Sequence, residues 1–193
     1  VILNSAFSTT GTDIAWYATV YIEHSAGTWA QSAQADKRVG QTASTLFNNS
    51  WNAIYDNLMV LDDMIKKTDP STGDEDNLYA RGIAQILTAY NLAVLTDMWG
   101  EVPWSEAIKG AEILQPRYDK QSTIYPKIMQ YLDDGIASIN AATNISVVGD
   151  YIYGGSAATA KSKWIKAANS LKARYSLRLS KVDPASATKA LAA

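Results

Sequence analysis

The chain has 193 residues, 47% of them hydrophobic and 19% charged, with a formal net charge of −2. That is enough apolar material for a buried core, and it leaves no overall positive field to draw in nucleic acid or anionic lipid. The absence of cysteine and the single histidine, His24, exclude disulfides, thiolate ligands, a cysteine nucleophile and a multi-histidine zinc site within these residues.

Residues 12–26 form the first predicted helix, with Ile14, Tyr17 and Tyr21 on one side and Gly27 at its end. Residues 27–43 read as a long connection carrying Trp29. The clearest helix is 44–68, where Phe47, Trp51, Ile54, Tyr55, Leu58, Leu61 and Ile65 recur at three- and four-residue steps. Ser44 is its candidate N-cap, and Asp69-Pro70 and Gly73 stop it. Residues 75–98 repeat the pattern through Tyr79, Ile83, Ile86, Leu87, Tyr90, Val94 and Met98. The acids Asp74, Glu75 and Asp76 stand where they favour the helix dipole, and Gly100 fits the C′ position.

A second long connection, 99–121, holds Trp99, Trp104 and Tyr118. Residues 122–141 put Tyr125, Ile128, Leu132, Ile136 and Ile139 on one face, with Pro126 near the start. A third connection, 142–160, carries Tyr151 and Tyr153. Residues 161–181 align Trp164, Ala168, Leu171, Tyr175 and Leu179, and Asp183-Pro184 reads as the N-cap and first position of another helix. No stretch sustains the period-two alternation of a sheet.

The expected fold is therefore all-α: five or six helices in antiparallel hairpins, forming one TPR-like stack over residues 1–193. An aromatic late in one helix followed by small residues early in the next supports pairing, as in Tyr90 with Ser105-Glu106-Ala107 and Tyr175 with Thr188-Lys189-Ala190. Both ends, Val1-Ile2-Leu3 and Ala192-Ala193, read as cut, so the sequence is expected to be part of a longer protein.

Catalytic constellations are weak. The pairs Asp62-Asp63 and Asp133-Asp134 are helix neighbours that point about 100° apart, so neither converges on one atom, and solvated faces explain them. The basic run Lys161, Lys163, Lys166, Lys172, Arg174, Arg178 and Lys181 has no acid among it. It reads as a solvated face balanced by nearby acids, with an acidic partner as the second reading. The long connections are the places to look for function. In the first, Trp29 offers a flat ring beside Gln31, Gln34, Asp36 and Arg38, a mixture that suits a sugar's C–H face and hydroxyls and equally suits an ordinary polar loop.

The run from Tyr79-Ala80-Arg81-Gly82-Ile83 to Thr96-Asp97-Met98-Trp99-Gly100-Glu101-Val102-Pro103-Trp104 resembles the SusD/RagB family, in which a helix ends in an aromatic–Gly–acid–x–Pro turn. Tyr151-Ile152-Tyr153-Gly154-Gly155, followed by the helix Lys163-Trp164-Ile165-Lys166-Ala167-Ala168-Asn169-Ser170-Leu171, is a second match in the correct order. The resemblance implies an all-α, TPR-like N-terminal part of a surface lipoprotein of the outer membrane. Such a protein binds glycan and passes it to a TonB-dependent, SusC-like transporter, with no cofactor and no catalysis. The lipid-bearing cysteine is not in this sequence. By position, the resemblance places ligand contacts at the Trp29 loop, with Gln31 and Gln34 as candidate hydrogen-bonders; Arg38, from the residue types of the loop, completes the candidate set. The alternative is a TPR-like scaffold whose only ligand is protein.

Overall fold

The computed structural model describes residues 1–40, 42, 47–71 and 77–193. Among them are eight α-helices: α1 (Ile2–Thr10), α2 (Asp13–Tyr21), α3 (Ala30–Asp36), α4 (Asn48–Lys67), α5 (Leu78–Trp99), α6 (Gln121–Ala141), α7 (Ala157–Arg178) and α8 (Ser186–Leu191). Two two-residue strands, β1 (Val102–Pro103) and β2 (Tyr118–Asp119), pair antiparallel within the second long connection. The all-α, TPR-like expectation holds, with more and shorter helices at the start than the sequence suggested. The candidate cap Ser44 and the stop and start signals Gly73, Asp74, Glu75 and Asp76 lie outside the described residues.

The chain forms two compact units, one of Val1 and Leu3–Asn57, the other of Ile2 and Leu58–Ala193. In the first, α1 buries hydroxyls instead of aliphatic side chains: Ser5, Ser8 and Thr9 are all buried. The Thr9 hydroxyl donates to the Ser5 carbonyl at 2.6 Å, and Thr12 pairs with the buried Ser50 at 3.1 Å. The buried Asn57 amide donates to the Ser5 hydroxyl at 2.6 Å. These bonds satisfy polar groups that would otherwise be costly to bury. Next to this network, Tyr17 and Val20 of α2 and Ala35 of α3 form a small core, with Trp16, Tyr21 and Phe47 packed on it. Tyr17 meets Trp16 and Phe47 edge-on, at centroid distances of 4.4 and 5.0 Å.

In the second unit α5 is the central element. Fourteen of its residues are buried, among them Gln85, Thr88 and Asn91 as well as the predicted Tyr79, Ile83, Ile86 and Leu87, so it is enclosed on nearly every side. Only its last turn emerges, where Met98 is 41% exposed. Asn77 caps its start by accepting from the Ala80 N–H at 3.0 Å, and Gly100, at φ 77°, ends it. Helices α5 and α6 run antiparallel and cross at two glycines. A Cβ on Gly82 would stand 2.5 Å from Ile139 Cγ1 and 2.7 Å from the Gly135 carbonyl; one on Gly135 would stand 2.7 Å from Ile86 Cγ1 and 3.0 Å from the Gly82 carbonyl. The small residues that let helices approach are therefore in mid-helix. The sequence put one such approach at Ser105-Glu106-Ala107, but those residues lie in the β1–β2 connection, outside any helix.

Polar ties fix the rest of the stack. The Ser138 hydroxyl bonds the buried Gln85 amide oxygen at 2.8 Å. Asp97, near the end of α5, accepts the Tyr125 hydroxyl of α6 at 2.6 Å and forms an ion pair with Arg178 of α7. Lys172 reaches Asp133 at 2.7 Å, joining α7 to α6. Arg81 donates to the Ile65 carbonyl and, at 3.0 Å, to Asp69, which ties the end of α4 to the start of α5. The aspartates read as solvated behave so: Asp62 pairs with Lys66 at 2.6 Å and Asp63 with Lys67 at 2.9 Å, each one helical turn away.

Tyr79 is 1% exposed and its hydroxyl has no aligned hydrogen-bond partner. Burial, helped by the negative charge of Asp150, pushes its phenol up to about 12. The folded chain keeps this proton where an unfolded tyrosine, with a pKa of about 10, loses it. Its contribution is thus complete below pH 10 and declines as pH rises towards 12. Tyr79→Phe should leave stability at pH 8 within about 1 kcal/mol, because the one interaction lost, with Asp150, is not a well-aligned hydrogen bond. It should also narrow the gap between the denaturant midpoints at pH 8 and pH 11. An unchanged gap would mean that other buried phenols, such as Tyr175, account for the whole alkaline loss.

Candidate functional site

Residues 27–40 do not form an open loop. They contain α3, packed on α2 through Ala35, which is wholly buried. Gly27 makes the fold-back possible: a Cβ there would lie 1.8 Å from the Ser32 carbonyl oxygen, so the backbone of residue 27 rests directly on the helix. The Gly27 N–H also donates to Asp36 at 3.3 Å. Trp29 occupies the N-cap position of α3 in an extended conformation, and its carbonyl accepts the Ser32 hydroxyl at 2.6 Å. Its backbone is thus fixed while its ring is 81% exposed.

The four predicted residues fare differently. Gln31 and Gln34 are exposed on α3 and, three positions apart, share a face. The Gln34 amide lies alongside Gly40. Arg38 is occupied structurally: with φ 53° it turns back, donates to the Tyr21 carbonyl at 3.3 Å and meets Glu23 at 3.5 Å. It holds the end of α2, and a sequence cannot show that a guanidinium is already engaged. His24 lies beyond α2, exposed in a turn, not on the helix that the sequence extended to residue 26.

The aromatics of the other two connections separate into packed and free rings. Trp104 is half-buried, edge-on to Tyr131 at 5.9 Å, whereas Tyr118 is 62% exposed. Below them Asp119 accepts the N–H groups of Trp104 and Ser105 at 2.9 and 2.7 Å and the Ser105 hydroxyl at 2.8 Å. Burial would raise this carboxyl, but those hydrogen bonds outweigh it and hold it below the usual range. Glu106 is held low by hydrogen bonds from the Arg117 side chain and backbone. Both carboxylates are committed to holding the connection together.

In the third connection the organiser is Asp150, a residue the sequence reading passed over. It is 9% exposed; one oxygen accepts the Trp164 indole N–H at 2.7 Å, the other the N–H groups of Ile152 and Tyr153 at 3.1 and 2.8 Å. Gly154 allows the turn to close, since a Cβ there would stand 2.4 Å from the Asp150 carbonyl oxygen. Tyr153 then packs edge-on against Trp164 at 5.0 Å, while Tyr151 projects, 75% exposed. Among the described residues no cluster of three or more His, Asp or Glu side chains could hold a metal, and no helix is long and apolar enough to cross a membrane.

Comparison with known proteins fits this architecture. The family described as "SusD-like_2: Starch-binding associating with outer membrane" matches residues 2–193. A SusD/RagB family protein from Bacteroides thetaiotaomicron has 35% identity and a TM-score of 0.86 over 99% of this chain and 40% of its own. A SusD-like protein from the same organism has 25% identity and a TM-score of 0.58 over 76% of this chain and 28% of its own. A chitin-binding SusD homolog from Flavobacterium johnsoniae shares the fold, at 20% identity and a TM-score of 0.65 over 96% of this chain and 37% of its own. No curated protein sequence matches. The chain thus spans 40% or less of the length of these three relatives. With a family match across residues 2–193 and a 35%-identical relative over nearly the same stretch, the chain belongs to the SusD-like family.

Proposed function

We propose that this chain is the helical part of a surface glycan-binding protein of the outer membrane, which captures oligosaccharide without catalysis and delivers it to a TonB-dependent, SusC-like transporter. Membrane attachment through a lipid anchor belongs to the same proposal. The observation that carries the reading is Trp29: a tryptophan 81% exposed on a backbone pinned from both sides. Leaving so large an apolar ring in water is unfavourable unless something covers it. A pyranose face fits a flat indole, with Gln31 and Gln34 available for its hydroxyls. Arg38 is a supporting residue in this proposal, because its guanidinium already bonds the Tyr21 carbonyl. The same exposed ring favours glycan capture over a scaffold that binds protein alone.

The test is titration of starch and chitin oligosaccharides into the intact protein and its Trp29→Ala variant. Loss of one stacking platform should weaken binding about tenfold. Equal affinities would remove Trp29 from the site.

A further inference from the structure

Helix α7 carries six cations, Lys161, Lys163, Lys166, Lys172, Arg174 and Arg178, and no acid, within a chain whose net charge is −2. The structure divides them into two sets. Lys161 donates to the carbonyls of Asn140 and Ala142 at 3.0 and 3.2 Å, Lys172 pairs with Asp133 and Arg178 with Asp97. Lys172 and Arg178 thus neutralise aspartates on α6 and α5, and Lys161 is held by carbonyls at the end of α6. Lys163, Lys166 and Arg174 are exposed and have no ion-pair partner among the described residues. Their steps of three and eight residues put them on one side of the helix, away from the buried Trp164, Ala168 and Tyr175.

The unpaired side follows the helix axis. From Lys163 to Arg174 it runs about 16 Å at 1.5 Å per residue. Between the cations Ser170 is exposed and turns its hydroxyl back onto the Lys166 carbonyl at 2.8 Å. No aromatic residue of α7 lies on this side, so the helix itself offers a neutral sugar no stacking platform there. Leu177, 56% exposed, is its one large apolar residue, too little for the apolar centre of a stable protein interface or for insertion into a bilayer. What remains is a row of free positive charge suited to a chain of regularly spaced anions.

We propose that the outer face of α7 binds an acidic polysaccharide, its carboxylate or sulfate groups meeting Lys163, Lys166 and Arg174. This rests on the glycan-binding reading above and refines its substrate class. Attraction at exposed charges is screened by salt, so the contact is weak and dependent on ionic strength.

The experiment measures binding of polygalacturonate, neutral starch and phosphatidylglycerol vesicles to the intact protein at low and high salt. The proteins compared are the wild type, Lys163→Gln/Lys166→Gln/Arg174→Gln, and the charge-retaining Lys163→Arg/Lys166→Arg/Arg174→Lys. All three positions are exposed, and thermal melting confirms that the variants fold. The expected result is polygalacturonate binding that weakens with salt, falls about tenfold in the neutral variant and is retained in the charge-retaining one, with starch unaffected. Starch binding without polygalacturonate binding, or equal polygalacturonate affinity in wild type and neutral variant, overturns this proposal and leaves the Trp29 site standing. Vesicle binding lost in the neutral variant, without polygalacturonate binding, would assign the face to a membrane and overturn it too. Failure of every glycan to bind would remove both readings.

Discussion

Gly82→Ala should be among the most damaging single-methyl additions in this chain, lowering stability by about 2–4 kcal/mol. In isolation the change ought to help, because alanine is favoured over glycine in a helix interior by about 1 kcal/mol. The crossing reverses the sign. The added methyl would sit 2.5 Å from Ile139 Cγ1 and 2.7 Å from the Gly135 carbonyl. A side chain can rotate away from such a contact, but a backbone carbonyl moves only if its helix moves. Separating α5 from α6 would loosen contacts around Ile83, Ile86, Ile128, Leu132 and Ile139, all buried. Gly135→Ala presses on the same crossing from the other side, so the two changes should not add: once one has parted the helices, the second costs less. Chemical denaturation of both singles and the double checks this. Wild-type stability in Gly82→Ala, or strict additivity in the double, would mean that the helices do not meet where these distances put them.

Those glycines show what the sequence did and did not reveal. Two glycines inside otherwise strong helical patterns were visible, and an interior glycine usually has a packing reason. The sequence could not show that they face each other, since that depends on the register of two separate helices. The apolar stripes of α4, α5 and α6 were legible because aliphatic spacing carries the signal. Helix α1 was not, because its buried side is Ser5, Ser8 and Thr9, residues that a hydrophobic period ignores. Helix α3 escaped for a similar reason: seven residues long, it buries only Ala35. The exposure of Trp29 followed from its place between patterned segments. The engagement of Arg38 did not, because its partner is a backbone carbonyl 17 residues earlier, and carbonyls are alike at every position.

Asp150→Asn should cost about 2–3 kcal/mol, close to the cost of Asp150→Ala, although it is nearly isosteric. A carboxylate presents two acceptors, and here both are used: one faces the Trp164 indole N–H at 2.7 Å, the other two backbone N–H groups. An amide keeps one acceptor and replaces the other with a donor. Whichever way it is turned, an N–H group faces another N–H group in a nearly dry site. Trp164 is 2% exposed, so its indole cannot turn to water without disturbing its packing against Tyr153. Trp164→Phe removes the indole donor and lets the amide settle with its oxygen towards the two backbone N–H groups. Asp150→Asn should therefore cost at least about 1 kcal/mol less in the Trp164→Phe background than in the wild type. An equal cost in both backgrounds would show that the carboxylate serves the turn alone. A cost near zero in both would show that Asp150 organises neither. In the expected case, burying this carboxylate is what holds the turn rigid and leaves Tyr151, the residue next to it, projecting into solvent in one fixed direction.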